Sequence, residues 1–184
     1  KLGYIVSKFD RFVTNKLTRN IFGQSKSAFN LRWLMDNKKI LIVNLSKGIL
    51  GEENAQFLGL LLVPKILSAA MSRADIPEKQ RNDFYLYVDE FQNFSTEDFA
   101  QILSEARKYR LNLVVANQYI TQIDEKIRDA VFGNVGTAIT MKVGSADAQF
   151  LEQLYTPIFN STDLVNQENG NAYIKMINKG ETPP

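Results

Sequence analysis

The chain has 184 residues, enough for one well-packed core, and its 45% hydrophobic and 23% charged residues are the balance of an ordinary globular protein. It contains neither cysteine nor histidine, which excludes disulfides, thiolate metal sites, cysteine nucleophiles, Ser-His-Asp triads and HExxH zinc sites. Any chemistry must therefore come from carboxylates, Lys, Arg, Tyr, amides and backbone groups, and the lack of cysteine suits a reducing compartment.

The net charge is only +2, but it is unevenly spread: residues 1–39 carry nine Lys or Arg against Asp10 and Asp36, giving +7, and the remainder carries −5. A basic arm of this kind, with Lys8, Arg11 and Lys16 as its candidate contacts, can track a phosphate backbone or dock onto a neighbouring acidic surface, or it can be a solvated helix face. The longest purely apolar stretch, around Leu60 to Val63, is far short of a membrane span, and no signal peptide is visible. The chain thus reads as soluble, and its start at Lys1 reads as a piece of a longer protein.

In chain order, Ile5, Phe9, Phe12, Val13 and Leu17 recur at helical spacing and predict an amphipathic helix. The continuous apolar run Ile40–Leu45 has the pattern of a buried parallel strand, followed by a loop from Ser46 to Gly51. Glu52 to about Arg73 predicts a long helix, kinked near Leu60 by Pro64, and the polar segment from Asp75 to Asn82 predicts a surface loop. Phe84–Val88, aromatic and β-branched, predicts a second buried strand. Ser95 and Asp98 form a capping-box signature for a helix running to about Tyr109. Leu111–Ala116 predicts a third strand and Tyr119–Phe132 a further helix. A strand at Thr137–Lys142, a helix at Ala146–Leu154 and a strand at Ala172–Ile177 complete an alternation that predicts a doubly wound α/β sheet.

In open parallel sheets, ligands bind at the carboxyl ends of strands. There the second strand delivers Asp89 and Glu90, and the third delivers Asn117 and Gln118. A buried strand ending in two acids is the pattern of a Walker B element, in which the first carboxylate holds Mg²⁺ through water and the second polarises the attacking water; carboxylates after a strand can equally be caps or solvated loop residues. The amide of Gln118 can sense a γ-phosphate or position water, or it can simply open the next helix. Arg107, Lys108 and Arg110 gather at a helix end, where cations suit the helix dipole and where an arginine can also reach a neighbouring subunit's nucleotide. The Lys47-Gly48 loop follows a strand and could face a nucleotide or a pore, or it is a glycine turn; Trp33, Tyr85 and Tyr87 read as core.

The runs YLYVDEFQNF, SEARKYRLNLVVANQ and FGNVGTAITMKVG, in this order and spacing, resemble the C-terminal part of the HerA/FtsK superfamily of P-loop ATPases, in particular the TraG/TraD-like coupling proteins of conjugation and type IV secretion. The resemblance covers about Lys39 to Ile177 and implies a RecA-like α/β domain with a mostly parallel sheet. Residues 1–38 would be a basic helical segment and residues 39–184 the C-terminal part of that domain. It also implies Asp89 as the Mg²⁺-binding and nucleotide-binding acid, Glu90 and Gln118 as catalytic, Gln118 as a nucleotide contact, and Arg107 as the finger, with Lys108 as the fallback. By the same resemblance the cofactors are ATP and Mg²⁺ and the cargo is DNA. The assembly that the resemblance implies is a homo-oligomeric, hexameric ring joined to secretion machinery at the cytoplasmic face of the inner membrane.

One departure matters. No glycine is followed by lysine anywhere, so there is no GxxxxGK[ST] phosphate loop, and Gly23-Gln24-Ser25-Lys26-Ser27 lacks both the paired glycines and a preceding strand. Either the Walker A strand and helix lie upstream and this piece alone hydrolyses nothing, or the domain is a non-catalytic docking module with a degenerate nucleotide site. A packaging or protein-translocating motor is the third reading.

Overall fold

The structure is a computed structural model that describes residues 14–96, 99 and 105–176. Most of the expected first helix with Lys8 and Arg11, Asp98 of the capping box, most of the helix expected before Tyr109, and Ile177 lie outside the described residues.

The described elements alternate helices with short strands. They are α1 (Lys16–Phe22), α2 (Leu31–Asp36), α3 (Lys47–Leu50), α4 (Glu52–Met71), β1 (Phe84–Val88), β2 (Leu111–Val115), α5 (Glu125–Asn134), β3 (Thr137–Thr140), α6 (Ser145–Tyr155), α7 (Ser161–Asn166) and β4 (Tyr173–Met176). β1 and β2 run side by side in parallel, with Phe84 N donating to Arg110 O and Ala116 N to Val88 O, each at 2.9 Å. β3 and β4 form a separate antiparallel pair in which Ile139 faces Ile174. The α/β class and the parallel pair agree with the sequence reading, whereas the second ladder differs: two helices, α6 and α7, lie between β3 and β4, and after the second the chain runs back antiparallel to β3.

The chain divides into two compact units: one comprises Lys1–Leu86 with Glu105–Val114, the other Tyr87–Ser104 with Val115–Pro184. In the first unit α4 is the spine. Its buried residues Ala55, Gly59, Val63, Ile66 and Ala70 recur at three- and four-residue spacing, the stripe a helix needs to pack against α2 and α3. Gly51, at φ +80°, makes the turn between α3 and α4 in a conformation that side chains resist. Glu52–Asp75 also has the length and mean hydropathy, 1.5 over its most apolar window, that a membrane crossing needs, a property it shares with core helices. Just beyond α4, the guanidinium of Arg73 is fully buried; its Nη1 donates to Asn82 O at 2.9 Å and its Nη2 to Tyr109 O. Burial pushes its pKa down from the usual arginine value, with the Asp36 charge opposing.

The expected strand at Ile40–Leu45 does not form. Those residues make no ladder, their main chain has no hydrogen bond among the described residues, and Ile40 and Ile42 are 89% and 87% exposed. A continuous apolar run specifies burial on both faces, and among the described residues of the run only Leu41 and Leu45 are partly covered. The loop expected at Ser46–Gly51 contains the single helical turn α3, whose Lys47 Nζ lies 2.8 Å from Glu52 Oε1. Trp33, Tyr85 and Tyr87, expected in the core, are 52%, 55% and 72% exposed.

The second unit is built on α6 and α7. Ile120, Ala148, Leu151, Tyr155 and Leu164 form its core cluster. The Tyr155 hydroxyl donates to Thr140 Oγ1 at 2.8 Å, which ties α6 to β3. Asn160 and Asp163 form a reciprocal capping box that starts α7. The single helix expected over Tyr119–Phe132 is instead a short 3-10 turn, Ile120–Gln122, and then α5, restarted by the Asp124 side chain accepting from Lys126 N. Asp124 competes for the local backbone, as N-cap residues do.

Candidate functional site

The site lies in the second unit, where β1 and β2 end. β1 is FYLYV, in which three aromatic residues and the β-branched Val88 favour extended backbone, and Val88 is buried. Its ladder with β2 closes through Ala116 N to Val88 O, and Phe91 N then reaches back to Ala116 O at 2.9 Å. Between these two bonds the chain must turn sharply. It does so at Glu90, held at φ 50°, ψ 47° in the left-handed region, and then enters the short 3-10 turn Phe91–Asn93. A non-glycine residue there costs roughly 1–2 kcal/mol and persists only where neighbours impose it. Here they do: Phe91 is fully buried against Phe99 at a ring separation of 4.8 Å, and Asn93 donates to Glu90 O from both its backbone N and its Nδ2.

This turn brings three of the expected residues to one place. Glu90 Oε1 accepts from Gln118 Nε2 at 2.7 Å, so the tips of the two strands meet through their side chains. Asp89 is exposed and accepts from Glu90 N through Oδ1 at 2.9 Å. Gln118 is also exposed, in a loop anchored by buried Ile120 and by Thr121 N, which donates to buried Asp147 at 3.2 Å. Two acids and an amide thus share one solvent-open point.

A fourth residue, Gln92, was missed in the sequence. Its Nε2 donates to Glu90 Oε2 at 2.6 Å, so both carboxylate oxygens accept from amides. The signal was available in DEFQN, since a glutamine two residues after a turn-forming glutamate can fold back onto its carboxylate. Gln92 Oε1 and Asn117 Nδ2 are buried polar atoms with no hydrogen-bond partner among the described residues.

The other expected residues lie elsewhere. Arg107 and Lys108 belong to the first unit, exposed on the 3-10 turn Ala106–Tyr109, whose Lys108 carbonyl accepts from Arg81 Nη1. Arg110 ends that turn at φ 57° and approaches Asp83 Oδ1 at 3.5 Å. Lys16 is exposed on α1.

Whether these residues fit a nucleotide-bound Mg²⁺ can be judged from the donors. Among the described residues no group of three or more acidic side chains forms a metal cage. Mg²⁺, however, is typically held by one or two carboxylates with water and substrate phosphates, and the solvent-open Asp89 carboxylate suits that arrangement. The donor set therefore fits a water-mediated cation beside a phosphate chain supplied from outside this segment.

Residues 83–156 match the family model described as the TraM recognition site of TraD and TraG. Among solved structures, the bacterial conjugative coupling protein TrwBdeltaN70 in complex with sulphate aligns with a TM-score of 0.69 at 16% identity, covering 92% of this chain and 45% of that one. The plasmid coupling protein TrwB in complex with the non-hydrolysable GTP analogue GDPNP aligns with a TM-score of 0.62 at 15% identity, with the same coverage. The chain therefore shares their fold and spans less than half their length. No curated protein sequence matches it.

Proposed function

We propose that this chain, TraG/TraD-like in residues 83–156 and in its fold, is the Walker B-bearing part of an ATP-driven conjugative coupling motor. The observation that carries the reading is the hydrogen bond between Glu90 and Gln118, which joins the two strand tips at a solvent-open point. On this reading Asp89 would hold Mg²⁺ through water, and the cation would supply charge neutralisation on the phosphate oxygens. Glu90 accepts the proton of the attacking water and orients it in line, while Gln118 contacts the terminal phosphate. Arg107, exposed on its turn, serves a neighbouring subunit of a ring, because a guanidinium can spread over phosphate charge from outside. The phosphate cradle comes from a Walker A segment beyond these 184 residues. Nucleotide binding in the family is supported by the GDPNP complex of TrwB.

The cargo on this reading is DNA, tracked in part by the basic arm that includes Lys8, Arg11 and Lys16, and the chain works at the cytoplasmic face of the inner membrane. The family description names TraM for TraD and TraG, and we carry a partner of that type to residues 83–156.

The test is Glu90→Gln in the complete protein. ATP turnover, stimulated by added DNA in the unaltered protein, should fall by about 10²–10⁴-fold while ATP binding is kept. Unchanged turnover would remove Glu90 from the mechanism, and ATPase activity indifferent to DNA would remove the cargo assignment. The second reading, a docking module with a degenerate site, draws on the occupation of both Glu90 oxygens by amides. It requires that the complete protein bind no ATP.

A further inference from the structure

The Glu90 carboxylate is held from two sides, and the two holders are not equivalent. Gln92 Nε2 reaches Oε2 at 2.6 Å from inside the same short turn. That turn is anchored: Phe91 is fully buried, its N donates to Ala116 O, and the Gln92 carbonyl accepts from Ser95 Oγ at 3.2 Å. The far side of the Gln92 amide, Oε1, has no access to solvent. Gln118 reaches Oε1 of Glu90 at 2.7 Å, but it is exposed, and this is its one side-chain hydrogen bond among the described residues. Gln118 can therefore leave the carboxylate by rotating its own side chain into solvent, whereas Gln92 cannot leave without moving buried atoms.

We propose that Gln92 is a positioning residue, which pins Oε2 so that Oε1, once Gln118 turns away, is presented to the attacking water in one orientation. The role rests on the ATPase reading above and adds to it a division of labour between the carboxylate oxygens. A glutamate has three rotatable side-chain bonds, and fixing one oxygen removes most of that freedom. Because a misplacement of about 1 Å can cost on the order of 10²-fold in rate, the restriction bears on the chemical step and not on substrate affinity. The left-handed backbone at Glu90 has the same consequence, since it aims the side chain toward both amides and is held there by the Phe91 anchor.

The experiment uses the complete protein and replaces Gln92 by Met, which removes the donor at similar length and volume. The expected result is a fall of about 10- to 100-fold in kcat for ATP, with KM for ATP within about twofold and Tm within about 2 °C. In a Glu90→Gln background the same replacement should change the residual single-turnover rate by less than about twofold, because no carboxylate is left to orient. An unchanged kcat, a loss confined to KM, or an equal loss in both backgrounds would overturn the positioning role. Should Gln92→Met lower Tm further, kcat is taken per folded molecule, with the folded fraction at the assay temperature read from the unfolding curve, and is held to the same kcat and KM criteria. The two levels fail differently: wild-type turnover by Glu90→Gln alone removes Glu90 from the mechanism and with it the premise of this role. An inactive Glu90→Gln beside a fully active Gln92→Met defeats only the role of Gln92.

Discussion

Arg73→Met is the most direct test of how the first unit is held together. Wild-type Arg73 is fully buried and donates to two main-chain carbonyls, Asn82 O and Tyr109 O, which belong to segments on either side of β1 in the sequence. Among the described residues no carboxylate hydrogen-bonds it; Asp36 and, more weakly, Asp83 act on it only at a distance. A net contribution of about 1.5–3 kcal/mol for each hydrogen bond from a charged group gives roughly 3–6 kcal/mol lost on replacement. Against this stands the relief of Arg73 Nε, which is buried without a hydrogen-bond partner among the described residues, at about 1–3 kcal/mol. Met fills most of the volume, so little cavity cost is added. Taken at matching ends of the two ranges, the expected destabilisation is roughly 2–3 kcal/mol. Urea unfolding followed by the fluorescence of Trp33, the single tryptophan and a member of the same unit, reads it directly. A lower midpoint at unchanged m is the predicted signature. A change below about 1 kcal/mol would show that the guanidinium's burial costs as much as its two bonds return, and that packing alone closes this unit.

Two further changes probe the second unit. Phe91→Ala removes a fully buried ring packed on Phe99 and should cost about 3–5 kcal/mol, with faster amide exchange at Glu90 and Asn93 as the local marker; protection equal to wild type would mean that the turn does not depend on this anchor. Tyr155→Phe deletes the donor to Thr140 Oγ1 and should cost about 1 kcal/mol at neutral pH. Burial, opposed by the Thr140 bond, raises the Tyr155 pKa above its ordinary 10.0. Its contribution is therefore complete below pH 10 and is lost as pH rises through the raised folded value, so wild type and Tyr155→Phe should converge in alkaline unfolding curves. Parallel curves would exclude linkage through this hydroxyl.

Strands whose partners lie nearby in the chain were legible. FYLYV is β1 at the bounds expected, LNLVV is β2 to within one residue, and α6 extends its prediction by one residue at each end. Each is decided by local pattern and by neighbours within the same segment. Ile40–Leu45 carries as strong a pattern and forms no ladder, because a strand exists only when something pairs with it. Lysine and arginine counts could not say where Arg107 points, and periodicity could not foresee the restart at Asp124 or the capping box that opens α7. At the candidate site, Asp89, Glu90 and Gln118 were legible as residues at strand tips. The contact between Glu90 and Gln118, the left-handed turn and the second amide of Gln92 were not, since all three arise from the reversal of the chain after Val88.

The bare stretch at Ile40–Val43 has a practical corollary for anyone producing these 184 residues alone. A greasy, hydrogen-bond-hungry ribbon recruits whatever ribbon is nearest, and at millimolar concentration that is its own copy in the next molecule. Placing a lysine at Ile42, or supplying in trans a β-hairpin peptide to sheath the ribbon, should keep preparations clear where the unmodified polypeptide turns cloudy.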